Sequence, residues 1–323
     1  MPVFNGSGFL EQSLRPLIEM LGRKEILEVI VVDDGSTDGS AKMAERLGAR
    51  TLHTGGRLGP GAARNLAAEE AAGDIVWFVD ADVIVHPDAA DRICEDFSEP
   101  TVSAVFGSYD DRPTAENFLS QYKNLVHRFY HQHGKSDAST FWAGCGAVRT
   151  DHFREAGGFD TRRYTRPSIE DIEFGYRLCA SGKRVLLNPS VQGTHLKHWT
   201  LFSLVHTDIV RRAIPWSRLM LENSGFIDDL NVSVGERLRA VLAGLFAFTC
   251  IAALLNLIDW WLFAVTLIAV FACNWKLARY FQRRKGTMFA VAAVLFHQIY
   301  YLYSSAAYVW AWFGHHFSRL LRR

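Results

Sequence analysis

The sequence predicts an α/β domain, built on a mostly parallel sheet flanked by helices, followed by a helical membrane region. Three observations carry that expectation. Two apolar, β-branched runs at residues 27–32 and 74–79 stop abruptly at acids, Asp33-Asp34 and Asp80-Ala81-Asp82, as buried parallel strands do on reaching a functional loop. Segments of helical composition alternate with these runs, which is the pattern of a parallel sheet with helices on both faces. Charged residues crowd the first 239 positions, whereas residues 240–275 carry a single charge, Asp259, and residues 287–314 carry none.

In chain order, residues 27–32 form the first central strand. Residues 40–47 and 61–72 are rich in strong helix formers, the second segment bounded by glycines. Residues 74–79 give the next strand, residues 102–106 a third and residues 115–131 an aromatic-bearing helix. The glycine-punctuated stretch 141–150 (FWAGCGAVRT) suits a close approach of backbone to ligand. Residues 168–180 read as a helix with Ile172, Tyr176 and Cys179 or Ala180 on one face, its acids in the first turn where the helix dipole favours them. Residues 185–188 are a further strand. In such sheets ligands bind at the carboxyl ends of the strands, where both acidic loops lie.

The formal charge of +1 comes with no basic face or run in the first two thirds, so nucleic acid is not an expected partner. Five scattered cysteines, odd in number and without a Cys-x-x-Cys pair, suggest neither a disulfide framework nor a zinc knuckle. The first ten residues lack a basic region and a long apolar stretch, so no signal peptide of ordinary form is expected and the α/β domain is expected in the cytosol. Residues 200–221 mix apolar side chains with Arg211, Arg212 and Arg218, as either a helix on a membrane surface or an amphipathic core helix would. A bilayer core about 30 Å thick needs roughly 20 apolar helical residues. Residues 240–275 therefore make two short spans turning near Asn256–Asp259, and residues 288–313 a third. The basic stretch 276–285 (KLARYFQRRK) belongs on the cytoplasmic side. A third full span would carry Arg319, Arg322 and Arg323 outside, which makes a re-entrant or interfacial segment the competing arrangement.

Asp80 and Asp82 flank a small residue at a strand end, so both carboxylates can reach one divalent ion and the hydroxyls of a ribose. The bland alternative is a solvated turn. A sharper rival is the nucleophilic loop of haloacid dehalogenase-type phosphatases, which residues 78–85 also match. Position argues against that rival, because about 79 residues of α/β pattern precede the loop here and no later Asp-Asp pair after an apolar strand completes such a site.

Read together, Pro2-Val3-Phe4-Asn5, Val31-Val32-Asp33-Asp34-Gly35-Ser36-Thr37-Asp38, Gly61-Ala62-Ala63-Arg64-Asn65, Asp80-Ala81-Asp82 and Glu170-Asp171 occur in one order over residues 1–198. That order resembles the family 2 glycosyltransferases. The resemblance implies a GT-A nucleotide-sugar-binding fold and an inverting, metal-dependent transfer of a sugar from a nucleotide-diphosphate donor to a lipid-linked or membrane-proximal glycan acceptor. It further implies that Pro2, Phe4 and Asn5 line the base pocket, that Asp33 or Asp34 contacts base or ribose, and that Arg64 sits beside the nucleotide. Asp80, with Ala81 between the carboxylates, and Asp82 would hold ribose and Mg²⁺ or Mn²⁺, and His195 would reach the metal or diphosphate. Glu170-Asp171 corresponds to the pair supplying the catalytic base, assigned to Asp171, and Phe174, Arg177, Leu178 and Gly182 continue the pattern.

Two departures qualify the likeness. The family begins with an apolar strand directly before the Pro-x-x-Asn segment, and this sequence starts at Met1-Pro2. The expectation is therefore a sheet short of its first strand, through a late start or a truncation. Processive polysaccharide synthases carry Gln-x-x-Arg-Trp, whereas residues 211–216 (RRAIPW) offer Arg and Trp at another spacing. The expected organisation is a catalytic domain over 1–198, an amphipathic interfacial connector over 199–238 and a region of two to three spans over 239–323. Its expected place is the cytoplasmic face of a bacterial inner membrane. A processive synthase and a non-catalytic nucleotide-sugar-binding subunit are the alternatives.

Overall fold

A computed structural model describes residues 1–223 and 233–320, so residues 224–232 of the expected connector and the terminal Arg322 and Arg323 lie outside the described residues. The chain divides into two compact units, Met1–Trp199 and Thr200–Arg323.

The first unit is α/β. Strands β1 (Pro2–Val3), β2 (Ile30–Asp33) and β3 (Arg50–His53) form a parallel sheet in that order. At the first residues Val32 N–H donates to the Met1 carbonyl and Asp34 N–H to the Val3 carbonyl, so β1 is a two-residue strand. The larger sheet contains β4 (Ile75–Val79), β5 (Val83–Val85), β6 (Val102–Tyr109), β7 (Asp137–Ala138), β8 (Cys145–Arg149) and β9 (Arg184–His195). Its order is β4-β8-β6-β9-β5, with β7 also on β9. Within it only β6 and β9 run parallel, while β4–β8, β6–β8, β5–β9 and β7–β9 are antiparallel. The expected α/β class holds, and its larger sheet is mixed rather than mostly parallel. The reason is that β8 inserts antiparallel between β4 and β6, and β5 pairs antiparallel with β9, pairings that apolar runs alone do not encode.

Helices α1 (Ser7–Gly22), α2 (Ser40–Arg46) and α4 (Ala89–Phe97) bury Leu10, Leu14, Ala44 and Ile93 in one core with Val31, Val79 and Val105 from the sheets. Helix α3 (Pro60–Glu70) packs Ala63 and Ala67 on Ile30 and Val32 instead. Alternate residues of β2 thus face two cores, which is why its run is apolar throughout. Helices α5 (Phe118–His133), α6 (Thr150–Glu155) and α7 (Glu170–Ala180) complete the unit. On α7 Tyr176 of the predicted face is buried while Ile172 is only half-buried, and a second buried line runs through Glu170, Phe174 and Leu178. An aromatic cage selects that line. The Phe174 ring lies 5.1–5.6 Å from those of Phe141, Phe153 and Phe159, and fully burying one such ring is worth several methylenes of transfer free energy.

The second unit is helical: α8 (Leu201–His206), a π-helix (Thr207–Ala213), α9 (Ile214–Glu222), α10 (Val234–Leu254), α11 (Trp260–Cys273) and α12 (Trp275–Leu320). Two of these are long and apolar enough to cross a bilayer, Val234–Leu254 and the Trp275–Phe317 part of α12. Between α10 and α11 the chain turns at Asn256, whose φ is +55°, at the predicted turn. With 14 residues, α11 is about 21 Å long, short of the roughly 30 Å that a straight span needs. Helix α12 is broken at Gly286 (φ 84°, ψ 173°), so the basic residues 276–285 form a segment apart from the uncharged one after it. Helices α10 and α12 are joined by the Tyr301 hydroxyl donating to Glu236 at 2.5 Å, and α10 and α11 by Thr249 and Thr266 at 2.7 Å. The outer faces remain apolar: Val241, Leu245, Phe248 and Met288 are all exposed.

Candidate functional site

The acidic strand ends and the expected catalytic helix meet at one edge of the first unit. Strand β4 delivers Asp80, and because β8 runs against it from Cys145 opposite Val79, residues 142–144 arrive at the same edge. There the Asp80 N–H donates to the Gly144 carbonyl at 3.1 Å. Strand β9 brings His195 opposite Val83, immediately after Asp82.

Arg64, at 6% exposure, holds the centre. Its Nη2 donates to Asp80 Oδ1 at 2.6 Å and its Nη1 to Glu170 Oε1 at 3.3 Å. Burial alone would lower the pKa of this guanidinium, but the carboxylates of Asp80, Glu170 and Asp171 outweigh it and raise it. Its Nε is buried without a hydrogen-bond partner.

Glu170 and Asp171 open α7. Glu170 Oε2 accepts from Ser168 N–H at 2.8 Å, which closes the turn before the helix. Asp171 accepts from Ala143 N–H at 3.1 Å and from Ile172 N–H at 2.9 Å. Withdrawal from water, then the Glu170 charge beside it, lift its carboxyl to about 6, against the lowering pull of Arg64 and the two amides. The closeness of α7 to the 140–143 segment depends on Gly175, where a Cβ would lie 2.4 Å from Phe141 N and 2.5 Å from the Thr140 carbonyl carbon.

Asp82 faces another partner. His195 Nε2 lies 3.7 Å from Asp82 Oδ2, and the imidazole stacks on Tyr109 with ring centres 4.3 Å apart. Burial would raise the Asp82 carboxyl, but His195 and then Lys197 hold it below its ordinary value. Asp80 and Asp82 thus engage separate partners instead of one common point, because the buried Arg64 draws Asp80 away. Among the described residues no group of three or more His, Cys, Asp and Glu is gathered to hold a metal by itself. Asp82 and His195 nonetheless fit as a pair. Their gap is too long for a hydrogen bond, and two ligand atoms each about 2.1 Å from one ion stand roughly 3 to 4 Å apart.

The residues expected around the base and ribose gather beside β2. Pro2 and Val3 pair with Val32 and Asp33. Asn5 accepts from Thr37 N–H at 2.8 Å, and the half-exposed Phe4 ring carries Arg57 at 4.0 Å. Asp38 is held down at about 2: burial opposes this, and hydrogen bonds from Ser40 and Ser7 outweigh it. The Asp34 carboxylate accepts from Leu58 N–H and Gly59 N–H at 2.8 Å each and from Thr54 at 2.9 Å, so it shapes the 54–59 loop. Asp33 keeps the freer carboxylate, with Ser36 N–H at 3.2 Å and His53 at 3.6 Å. Ala81 packs on the core that contains Val3.

The sequence reading missed three groups. Asp110 follows β6 as Asp80 follows β4, and it accepts from Thr194 at 2.6 Å and faces His86 at 3.2 Å. The signal was present, since a third apolar run also ends in acid. Asn65, quoted in the motif without a role, clamps Phe159 through its amide N–H and carbonyl. Trp142 packs against Tyr109 and His127, one residue from the amide that holds Asp171.

Comparison with known proteins agrees with the fold. The family model of glycosyl transferase family 2 matches residues 1–157. An uncharacterized protein of Mycobacterium tuberculosis (strain CDC 1551 / Oshkosh) is 29% identical over 196 residues, covering 55% of this chain and 60% of its own. The pre-mycofactocin glycosyltransferase of the same strain is 29% identical over 178 residues, 52% of this chain and 37% of its own. The chain thus spans less than two thirds of the length of either relative. Among solved structures, the mannosyltransferase PcManGT from Pyrobaculum calidifontis, in complex with GDP-Man and Mn²⁺, superposes with a TM-score of 0.57 at 18% identity, over 96% of this chain and 85% of that one. That likeness is one of fold. With a family model that matches residues 1–157 and a fold shared with a solved glycosyltransferase structure, the first unit of the chain is similar to glycosyl transferase family 2.

Proposed function

We propose that the protein is an inverting, metal-dependent glycosyltransferase that moves a sugar from a nucleotide diphosphate to a lipid-linked or membrane-proximal acceptor. The observation that carries the reading is the contrast at one strand edge between Asp82, held ionised beside His195, and Asp171, lifted to about 6. One carboxylate suits a cation and the other a proton. Its assignment to sugar transfer comes from the family 2 match and from the glycosyltransferase name of a 29% identical relative.

On this reading Phe4, Asn5 and Asp33 receive base and ribose, with Arg64 Nε and Asp80 beside the ribose and diphosphate. Asp82 and His195 would hold Mg²⁺ or Mn²⁺, with donor oxygens and water completing the coordination. A divalent ion there neutralises charge on the departing diphosphate. Asp171 takes the proton of the acceptor hydroxyl as its oxygen bonds to the sugar C1, while the bond from C1 to the diphosphate oxygen breaks on the opposite face. The nucleotide diphosphate leaves and the configuration at C1 inverts. Ala143 N–H and Ile172 N–H keep Asp171 aimed.

The exposed apolar faces of α10 and of α12 beyond Gly286 support anchoring in a membrane, with the basic residues 276–285 on the cytoplasmic side. The setting we infer is the inner face of a bacterial cytoplasmic membrane. The full chain in detergent, screened against UDP, GDP and dTDP sugars with nucleotide release as readout, should release nucleotide from at least one donor and stop in EDTA. Release that persists in EDTA would remove the metal from the reading. No release from any donor would favour a non-catalytic binding subunit.

A further inference from the structure

Arg64 stands between carboxylates from opposite sides of the site: Asp80 at the end of β4 on the donor side, and Glu170 at the start of α7 on the acceptor side. The contacts are unequal, 2.6 Å to the partly exposed Asp80 and 3.3 Å to the buried Glu170. A planar guanidinium can span two such partners, whereas a compact ammonium cannot. Its Nε–H is buried with no acceptor, a cost that a bound anionic ligand would remove.

We propose that Arg64 is a positioning residue that couples donor binding to the acceptor side. Without donor it holds Asp80. When the ribose of a nucleotide diphosphate claims the Asp80 carboxylate, Arg64 is released to close on Glu170, which fixes the start of α7 where Asp171 sits. The inference rests on the donor-site reading above. Its logic is competition: Asp80 and Glu170 share one cation, so whatever draws Arg64 toward Glu170 frees Asp80 for the donor. Linkage makes the effect reciprocal. Neutralising Glu170, which makes no contact with Asp80, leaves Arg64 wholly to Asp80 and must weaken donor binding from a distance.

The test measures binding rather than turnover. The dissociation constants of UDP, GDP and dTDP in the presence of Mn²⁺ are determined by calorimetry on the full chain in detergent. The proteins are wild type, Glu170→Gln, Arg64→Gln, Arg64→Lys, and Glu170→Gln combined with each Arg64 variant. Glu170→Gln should weaken the tightest nucleotide by at least about threefold, the lower range of coupling between contacting residues. Placed on Arg64→Gln it should add less than about twofold. Arg64→Lys keeps the charge without the fork and should likewise suppress the effect, which gives a second background if Arg64→Gln does not fold. Wild-type affinity in Glu170→Gln, or an equal loss in all three backgrounds, would overturn the coupling while leaving the donor site standing. Failure of the wild type to bind any of the three nucleotides would instead sink the donor-site reading and the coupling with it.

Discussion

Asp82 and Asp171 stand in the same unit, both partly withdrawn from water, and their surroundings push them in opposite directions. Asp82 has His195 and Lys197 for neighbours, which hold its carboxyl below the ordinary value against burial. Asp171 has Glu170 beside it, and only Arg64 and two amides opposing, so its proton comes off near 6. Burial raises both, and the sign of the nearest charge decides between them. The difference teaches that one fold can hold one carboxylate down and lift another within a single unit by choosing the charge on the adjacent strand or helix.

The largest expected effect concerns the scaffold under Asp171. Phe174→Ala empties the cage of Phe141, Phe153 and Phe159 and should cost about 3–5 kcal/mol of stability. Denaturant unfolding followed by tryptophan fluorescence checks it. A loss under about 1 kcal/mol would mean that the start of α7 is fixed by other contacts, and the contrast between the two carboxylates would need another cause.

Next is Asp171, the proposed base. General base catalysis contributes about a hundredfold to ten-thousandfold, so Asp171→Asn should lower kcat by at least about a hundredfold. The sign of the pH dependence follows from the raised carboxyl. The active form is the ionised one, so kcat should be flat above about 6 and fall about tenfold per pH unit below it. That acid limb should vanish from the residual rate of Asp171→Asn. Glu170→Gln should lose less turnover, since Glu170 is committed to Arg64 and to Ser168 N–H. Should Glu170→Gln lose the limb and Asp171→Asn keep it, the two roles exchange.

Much of this was legible in the sequence, for identifiable reasons. Strand β4 and the loop after it are local: an apolar run and an abrupt acid require only nearest neighbours. The Asn256 turn was equally plain, as a short polar break between apolar helices. What the sequence hid depends on pairing. The antiparallel entry of β8 brings Ala143 to Asp171, and no periodicity in residues 141–150 announces it. The face read on α7 holds the buried Tyr176 but omits Phe174, because Phe174 is selected by three rings distant in sequence, not by its own helix. Asp34 and Asp33 looked equivalent as neighbours, and only the 54–59 loop, by taking up Asp34, distinguishes them. The placement of Arg64 depends on both Asp80 and Glu170, 16 and 106 residues away.

The most direct test of the central claim, that the two carboxylates divide cation holding from proton acceptance, sets Asp82→Asn beside Asp171→Asn in one binding experiment. The affinity of the preferred nucleotide diphosphate is measured on the full chain with Mn²⁺ and with EDTA. Asp82→Asn should lose the difference between the two conditions, because a neutral amide is a poor ligand for a hard cation. Asp171→Asn should keep that difference within about twofold of wild type, since a base that acts only on the acceptor leaves donor binding alone. Retention of the Mn²⁺ effect in Asp82→Asn, or its loss in Asp171→Asn, would contradict the account.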